Sequence, residues 1–308
     1  MKTARGTMGC WLVALSAIGG CQTSTNAGDS GPRVDSGPIP QPVVVTLSGA
    51  ADLGCVGSAT LPAGTDPVSG TLHIYEFLSM APITANSVDV FSDNVVTDAC
   101  DAPHCQTYAT DSSGDLALTL TTGSWFAYRL APSGQTAPVL AFNQPWLTAP
   151  GELDVPGFSP GTISEVGMLF NRTFQATTLG SMSGRAVDCA GAPLTNVLAR
   201  VFVGDTEVVT GPLADQTSAR ITGLEGTAPT RNGFTGQSGN FVGANIPPSD
   251  DCHVETWAVT SEGAAPTLIG CAEAHVVVGG ITLSIVGGLR SDYAPGSRCA
   301  IAAAAAGH

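Results

Sequence analysis

The chain of 308 residues holds a single lysine, Lys2. Beyond residue 20, nine arginines face 25 acidic residues, a formal charge of −16. Phosphate recognition is carried by Lys and Arg, so this balance excludes a nucleic-acid partner. It also excludes electrostatic attachment to anionic lipid, and the acidity serves solubility. Histidines are scarce: His73, His104, His253, His275 and His308. No Gly-x-Ser-x-Gly elbow, His-Glu-x-x-His helix or phosphate-binding Gly-Lys loop occurs. The expectation is a non-enzyme, with no catalytic residue, cofactor or metal assigned. Long apolar runs are missing too. Cys10–Ile18 and the charge-free stretch His275–Leu289 both fall short of the roughly 20 residues that span a bilayer. Gly279-Gly280 predicts a hairpin inside the second stretch.

The N-terminus carries the strongest signal present. Lys2 and Arg5 precede the apolar run, and Ile18-Gly19-Gly20-Cys21 follows it. Charged, then apolar, then small is the order of a secretory signal. Ending in cysteine, the stretch resembles the lipobox of bacterial lipoproteins. That resemblance implies removal of residues 1–20 and a diacylglyceryl group on the Cys21 thiol. The membrane is then a partner through the N-terminal lipid, and the location is the bacterial cell envelope, at the outer membrane or cell surface. Residues 21–42 read as a tether. Asp-Ser-Gly-Pro occurs twice, at 29–32 and 35–38, with no apolar periodicity to support a core. As a coil its ends would lie roughly 25 Å apart.

From Val43 onward short runs rich in Val, Thr, Ile and Phe alternate with Gly, Pro, Asp and Ser, which reads as all-β. Candidate strands in the first half are 43–48, 71–77, 87–91, 106–110, 116–120 and 125–130. In the second half they are 182–187, 197–203, 233–235, 241–245, 253–260, 267–278 and 281–286. Ser159-Pro160 signals a helix start, Thr162-x-x-Glu165 matches a capping box, and Val166, Leu169 and Phe170 give an apolar face. The domain reading is a first β-sandwich over 43–142, a connector with this short helix over 143–179, a second sandwich over 180–299, and a tail over 300–308.

The two halves repeat. Ala81-Pro82-Ile83-Thr84 is echoed by Ala192-Pro193-Leu194-Thr195, and Phe91 by Phe202. Thr110-Asp-Ser-Ser-Gly114-Asp-Leu116 is echoed by Thr235-Gly-Gln-Ser-Gly239-Asn-Phe241. The order is the same in both, so these are two copies of one module. Gly114 and Gly239 supply positive φ for a tight turn, and Leu116 or Phe241 returns to the core. The second copy carries 14 extra residues in its 204–232 loop. That loop reads as exposed, mobile and dispensable, and as a site for a partner.

At these residues the chain resembles the carboxypeptidase regulatory-like modules, which have a transthyretin-like β-sandwich. Gly184-Arg-Ala-Val-Asp188-Cys-Ala-Gly191-Ala-Pro193-Leu-Thr-Asn-Val197 is similar to that family's opening strand, turn and second strand. The hairpin departs from the pattern at Gly236, where the family has aspartate. The resemblance implies two tandem sandwiches and says little about activity. Hydroxyisourate hydrolase shares the fold but ends in Tyr-Arg-Gly-Ser; Tyr128-Arg129-Leu130 is internal and lacks that ending.

Seven cysteines remain after Cys21: Cys55, Cys100, Cys105, Cys189, Cys252, Cys271 and Cys299. Export favours disulfides. The four in the second half are expected to form two bridges among themselves, leaving one of the first three unpaired. Cys100, His104 and Cys105, with Cys55 as a further sulfur, could instead form a zinc site, but a disulfide is the preferred reading. Asp111–Asp115 has calcium-like oxygens that a hairpin turn explains fully. Asp250-Asp251 reads as a solvated turn. Trp125 and Trp257 read as core, and Trp146 is the loop tryptophan that could touch a glycan. The function read from all this is a lipid-anchored envelope protein that binds an envelope protein or acts as a spacer. A glycan-binding surface module and an envelope hydrolase with a site between the domains are the alternatives.

Overall fold

The computed structural model describes residues 45–61, 64–169, 173–208, 219–226, 228–230 and 233–307. Cys21, the signal and the tether lie outside them. The described fold is mostly β.

The first half contributes β1 (Pro67–Glu76), β2 (Ser87–Phe91), β3 (Cys105–Ala109), β4 (Asp115–Thr121), β5 (Trp125–Leu130), β6 (Val139–Pro145) and β7 (Gly151–Gly157). Helix α1 (Pro160–Leu169) follows. The second half contributes β8 (Gly180–Ala186), β9 (Leu198–Val203), β10 (Thr206–Val208), β11 (Arg220–Glu225), β12 (Ala228–Pro229), β13 (Asn240–Ile246), β14 (Ser249–Ala258), β15 (Thr267–Val276), β16 (Ile281–Val286) and helix α2 (Arg298–Ala305).

The two halves have one topology. In the first, β4-β1-β7 faces β3-β2-β5-β6; in the second, β13-β8-β16 faces β10-β9-β14-β15. In each, the opening strand pairs antiparallel with the fourth element of the motif (β4 or β13) and parallel with the closing strand (β7 or β16). The sandwiches are also fused. β16 pairs in parallel with β6, from Ile281↔Val139 to Ser284↔Phe142. This joins strands of both halves into one nine-stranded sheet, β12-β11-β13-β8-β16-β6-β5-β2-β3.

Fusion explains the apolar runs. Val139 and Ala141 of β6, with Phe126, Tyr128 and Leu130 of β5, face the core of the first sandwich. Leu140, Phe142, Ala127 and Phe91 on the opposite face join the core of the second. Strands covered on both faces read as continuous apolar runs rather than alternating ones. Likewise Ile281 and Leu283 of β16 belong to the first core and Val286 to the second.

Several expectations change. Gly279-Gly280 does not close a hairpin: β15 lies in the four-stranded sheet and β16 in the nine-stranded one, so the chain crosses between layers. Residues 233–235 are not a strand, and among the described residues of 43–48 only Thr46 and Ser48 make isolated bridges. The 204–232 loop is not wholly a loop. Residues 209–218, 227, 231 and 232 lie outside the described ones, but β11 pairs with β13 and buries Ile221 and Thr222. It extends the sheet, so the loop as a whole is not dispensable. The connector carries β7, and the tail carries α2. Residues 298–305 are mostly alanine, the best helix former, and the Ser297 hydroxyl caps them by accepting from Ala300 N at 3.3 Å.

Helix α1 starts where Ser159-Pro160 places it. Its cap is Ser159, whose Oγ accepts from Thr162 N at 3.1 Å, rather than a box at Thr162–Glu165. Glu76 at the end of β1 secures this cap, accepting from the Thr162 hydroxyl. Burial pushes the Glu76 carboxyl up, but hydrogen bonds from Thr162, Ser79 and Ser159 outweigh it and hold the carboxyl below its ordinary value. Val166 packs on Val242 and Ala244 of β13; the Leu169 side chain and Phe170 lie outside the described residues.

Candidate functional site

The repeated motif is a latch. Asp111 Oδ1 accepts from Ser113 N at 2.7 Å and Asp115 N at 3.0 Å. These bonds, Asp115 first, hold its carboxyl below the ordinary value. The calcium-like loop is therefore a turn capped by its own backbone. Thr110 Oγ1 accepts from Asn86 N at 3.0 Å, and Thr235 Oγ1 accepts from Val197 N at 3.0 Å. Ile83 N donates to Ile74 O and Leu194 N to Ala186 O, both at 2.9 Å. The recurring residues therefore tie the first turn to the second, and their role is structural.

Trp146 is not a glycan platform. It is 1% exposed, and its Nε1 donates to Val68 O at 3.0 Å. Phe126 meets it edge-on, with ring centroids 5.7 Å apart. Gly70 makes the room: a Cβ there would come within 3.0 Å of the indole. The segment after β6 looks like a loop in sequence but packs inward, between the two layers.

Among the described residues the cysteines pair as Cys55–Cys189, Cys100–Cys105 and Cys271–Cys299, leaving Cys252 free and buried. The second half thus holds one bridge of its own, not two. Cys252 on β14 points into the second core, whereas Cys189 lies in the turn after β8, beside the segment carrying Cys55. Burial pushes the Cys252 thiol up to about 12, which makes it unreactive. The unpaired cysteine is in the second half rather than the first.

Two polar groupings stand apart from the latch. The first is on the outer face of the four-stranded sheet. Arg200 forms a two-point pair with Glu207, at 2.8 and 2.6 Å. Its guanidinium lies over Phe202 at 5.1 Å and over Trp257 at 5.4 Å. Phe202 stacks on His253 with centroids 4.8 Å apart, and Trp257 Nε1 donates to Glu255 at 2.7 Å. Burial acts to raise the Glu255 carboxyl, but His253, Trp257 and Arg200 outweigh it and hold it below its ordinary value. Arg200, Phe202 and Trp257 are half-buried, so the row stays open on one side. Sequence reading missed it because its members come from β9, β10 and β14. Nearby, Arg298 of α2 binds Asp251 and Asp205, so Asp251 is an anchor for the helix rather than a solvated turn.

The second grouping is at the far edge of the nine-stranded sheet. Asp89 on β2 brings a carboxylate oxygen within 4.8 Å of the Cys100 and Cys105 sulfurs. Cys55 plays no part there because it is bonded to Cys189. His104 instead meets Asp93, Nδ1 to Oδ2 at 2.8 Å. His73 and Asp115 form another such pair at 2.6 Å. Among the described residues neither imidazole is hydrogen-bonded to a serine, threonine or cysteine. No helix of the described residues is long and apolar enough to cross a membrane.

No protein-family profile and no curated protein matches this chain. Among solved structures it is similar to β-sandwich pilins. A streptococcal ancillary pilin is 10% identical with a TM-score of 0.23, over 72% of this chain and 62% of that one. The chain thus spans under two thirds of that pilin's length. The minor pilin GBS52 of Streptococcus agalactiae is 10% identical with a TM-score of 0.22, over 74% of this chain and 99% of that one. An intradiol ring-cleavage dioxygenase of Tetranychus urticae is 13% identical with a TM-score of 0.20, over 34% of this chain and 59% of that one. Scores this low carry no argument about function, which rests on the residues.

Proposed function

We propose that this is a lipid-anchored protein of the bacterial cell envelope, held through Cys21. Its two fused sandwiches act as a stiff, non-catalytic spacer or binding body. The observation that carries the reading is the β6–β16 pairing, from Ile281↔Val139 to Ser284↔Phe142. Modules joined by a flexible linker would move independently, whereas a shared sheet holds a fixed separation. The Cys55–Cys189 bridge, 134 residues apart, ties the segment before β1 to the second sandwich. The basic start, the apolar run and Gly19-Gly20-Cys21 support the anchor.

Fractionation tests the anchor. The parent should partition into detergent and carry an N-terminal acyl mass, and Cys21→Ala should leave the precursor uncut or release the body. A Cys21→Ala chain that fractionates with membranes as the parent does would refute it. A second reading, glycan binding, is favoured by one observation, the half-open Phe202–Arg200–Trp257 row. The half-buried Glu207 carboxylate beside flat rings suits sugar hydroxyls and sugar faces, with the buried Glu255 orienting Trp257 behind it. A glycan array run on the parent and on Phe202→Ala separates the two readings: loss of a bound glycan in the variant supports the second, and no bound glycan in the parent leaves the spacer.

A further inference from the structure

We propose that Asp89, Cys100 and Cys105 form a redox-gated site for a thiophilic divalent cation of the zinc class, closed as the disulfide and open as the dithiol. Zinc binds through thiolate sulfur, carboxylate oxygen and water, in a tetrahedral set. Two sulfurs and a carboxylate oxygen already lie within 4.8 Å of one another, the one such group among the described residues.

Cys105 and Asp89 are held without help from the S–S bond, and Cys100 packs against the second core. Cys105 begins β3 and is paired with Phe91 of β2. Its N–H donates to Asp101 O at 3.0 Å, and Ser92 N donates to His104 O at 3.0 Å. The turn from Cys100 to Cys105 therefore stays folded on the sheet when the bridge opens. Asp89 is fixed too. Its Oδ2 accepts from Arg129 Nε at 2.9 Å and from Nη2 at 2.6 Å, and its Oδ1 accepts from Thr107 at 2.6 Å. Oδ1 keeps a lone pair for a metal. Fixing ligand orientation in this way is what outer partners of metal sites do.

Charge and access agree. Two thiolates, the Asp89 carboxylate, the Arg129 guanidinium and a divalent cation sum to zero, so the loaded site leaves no buried charge unbalanced. Cys105 is buried, whereas Cys100 is half-buried amid exposed neighbours, Ala99 and Asp101. A reductant thus attacks at the Cys100 sulfur. Among the described residues the other two bridges have no such third group. An external dithiol transfers two electrons and two protons to the Cys100–Cys105 bond, giving two cysteine thiols and the oxidised, disulfide form of the reductant. The cation then replaces both thiol protons, which pass to water, and a water molecule completes the four ligands.

The test uses the detergent-solubilised full chain carrying Cys252→Ala, which removes the free thiol, with Co2+ as probe. After mild dithiol reduction, alkylation and peptide mapping should find Cys100 and Cys105 as the pair that opened. The reduced chain should take up one Co2+ with a thiolate-to-cobalt charge-transfer band that Zn2+ bleaches. The oxidised chain should show no band. Asp89→Asn should keep the far-UV circular dichroism and weaken Co2+ binding about tenfold or more. The Cys100→Ser/Cys105→Ser chain, treated alike, should lose the band. No band in the reduced parent, or a band that survives in the double-serine chain, would overturn the site.

Discussion

Gly114 and Gly239 occupy the same place in two sandwiches. Their φ angles are +79° and +69°, and a Cβ would meet Ile74 O at 2.6 Å in one and Ala186 O at 2.5 Å in the other. Next in line stand Pro82 and Ile83, or Pro193 and Leu194. The repeat is thus equivalent down to single backbone contacts. Gly114→Ala and Gly239→Ala should each destabilise the chain by about 1–3 kcal/mol, through positive φ and the carbonyl clash together. Urea melts of both variants check this; a loss under about 0.5 kcal/mol in either would break the equivalence.

Thr235 is 2% exposed and works at both ends of its hydroxyl, donating to Leu194 O at 2.7 Å and accepting from Val197 N. Thr235→Val keeps the shape but strands two buried backbone groups, and should cost about 1–3 kcal/mol. Thr235→Ser should recover most of it. An undiminished stability in Thr235→Val, which keeps the methyl group and loses only the hydroxyl, would mean that the two hydrogen bonds carry no weight.

The bridges should differ in weight. Chain entropy assigns about 5 kcal/mol to the closure by Cys55–Cys189, which are 134 residues apart, and about 2 kcal/mol to that by Cys100–Cys105, only 5 apart. Cys55→Ala/Cys189→Ala should therefore lower the thermal midpoint more than Cys100→Ala/Cys105→Ala. The reverse order would contradict the larger weight given to the long closure, which ties the segment before β1 to the turn after β8.

Acid should weaken the body in two steps. Burial depresses His275, with Asp250, Asp98 and Glu273 opposing it only in part. A depressed histidine binds its proton more readily when unfolded. Its contribution is complete above the ordinary value of 6.5 and shrinks as the pH falls toward the folded value. Glu76 and Glu255, held below 4.5, contribute above that value and are lost only at lower pH. His275→Gln should flatten the first step and leave the second. An unchanged slope between pH 7 and 5 in the variant would place the first step elsewhere.

The strands were legible in sequence where one rule decided them. β2, β5 and β16 match their apolar runs end to end, and Ser159-Pro160 marks α1. β6 was missed although Val139–Phe142 is apolar, because the run is only four residues long and ends in Asn143-Gln144-Pro145, which reads as a loop. β7 was missed because Glu152, Asp154 and Pro156 break its pattern, and only its parallel pairing with β1 makes it a strand. Cysteine connectivity was not legible at all, since proximity of Cys55 to Cys189 is a product of the fold. Trp146 shows the same limit: its loop-like neighbours conceal that the indole turns inward. The Arg200, Phe202, His253 and Trp257 row becomes visible only once β9 and β14 are in register.

Single-tryptophan reporters test the fused sheet most directly. Trp146 lies in the first core and Trp257 beside the second sandwich. Two chains are needed, both with Trp11→Phe and Trp125→Phe; one also carries Trp257→Phe and the other Trp146→Phe. In each, urea unfolding followed by the remaining indole and by far-UV circular dichroism should give one coincident transition, because breaking β6–β16 exposes both cores together. Two separated midpoints, with either indole reporting its half melting while the other half stays folded, would contradict a single fused body.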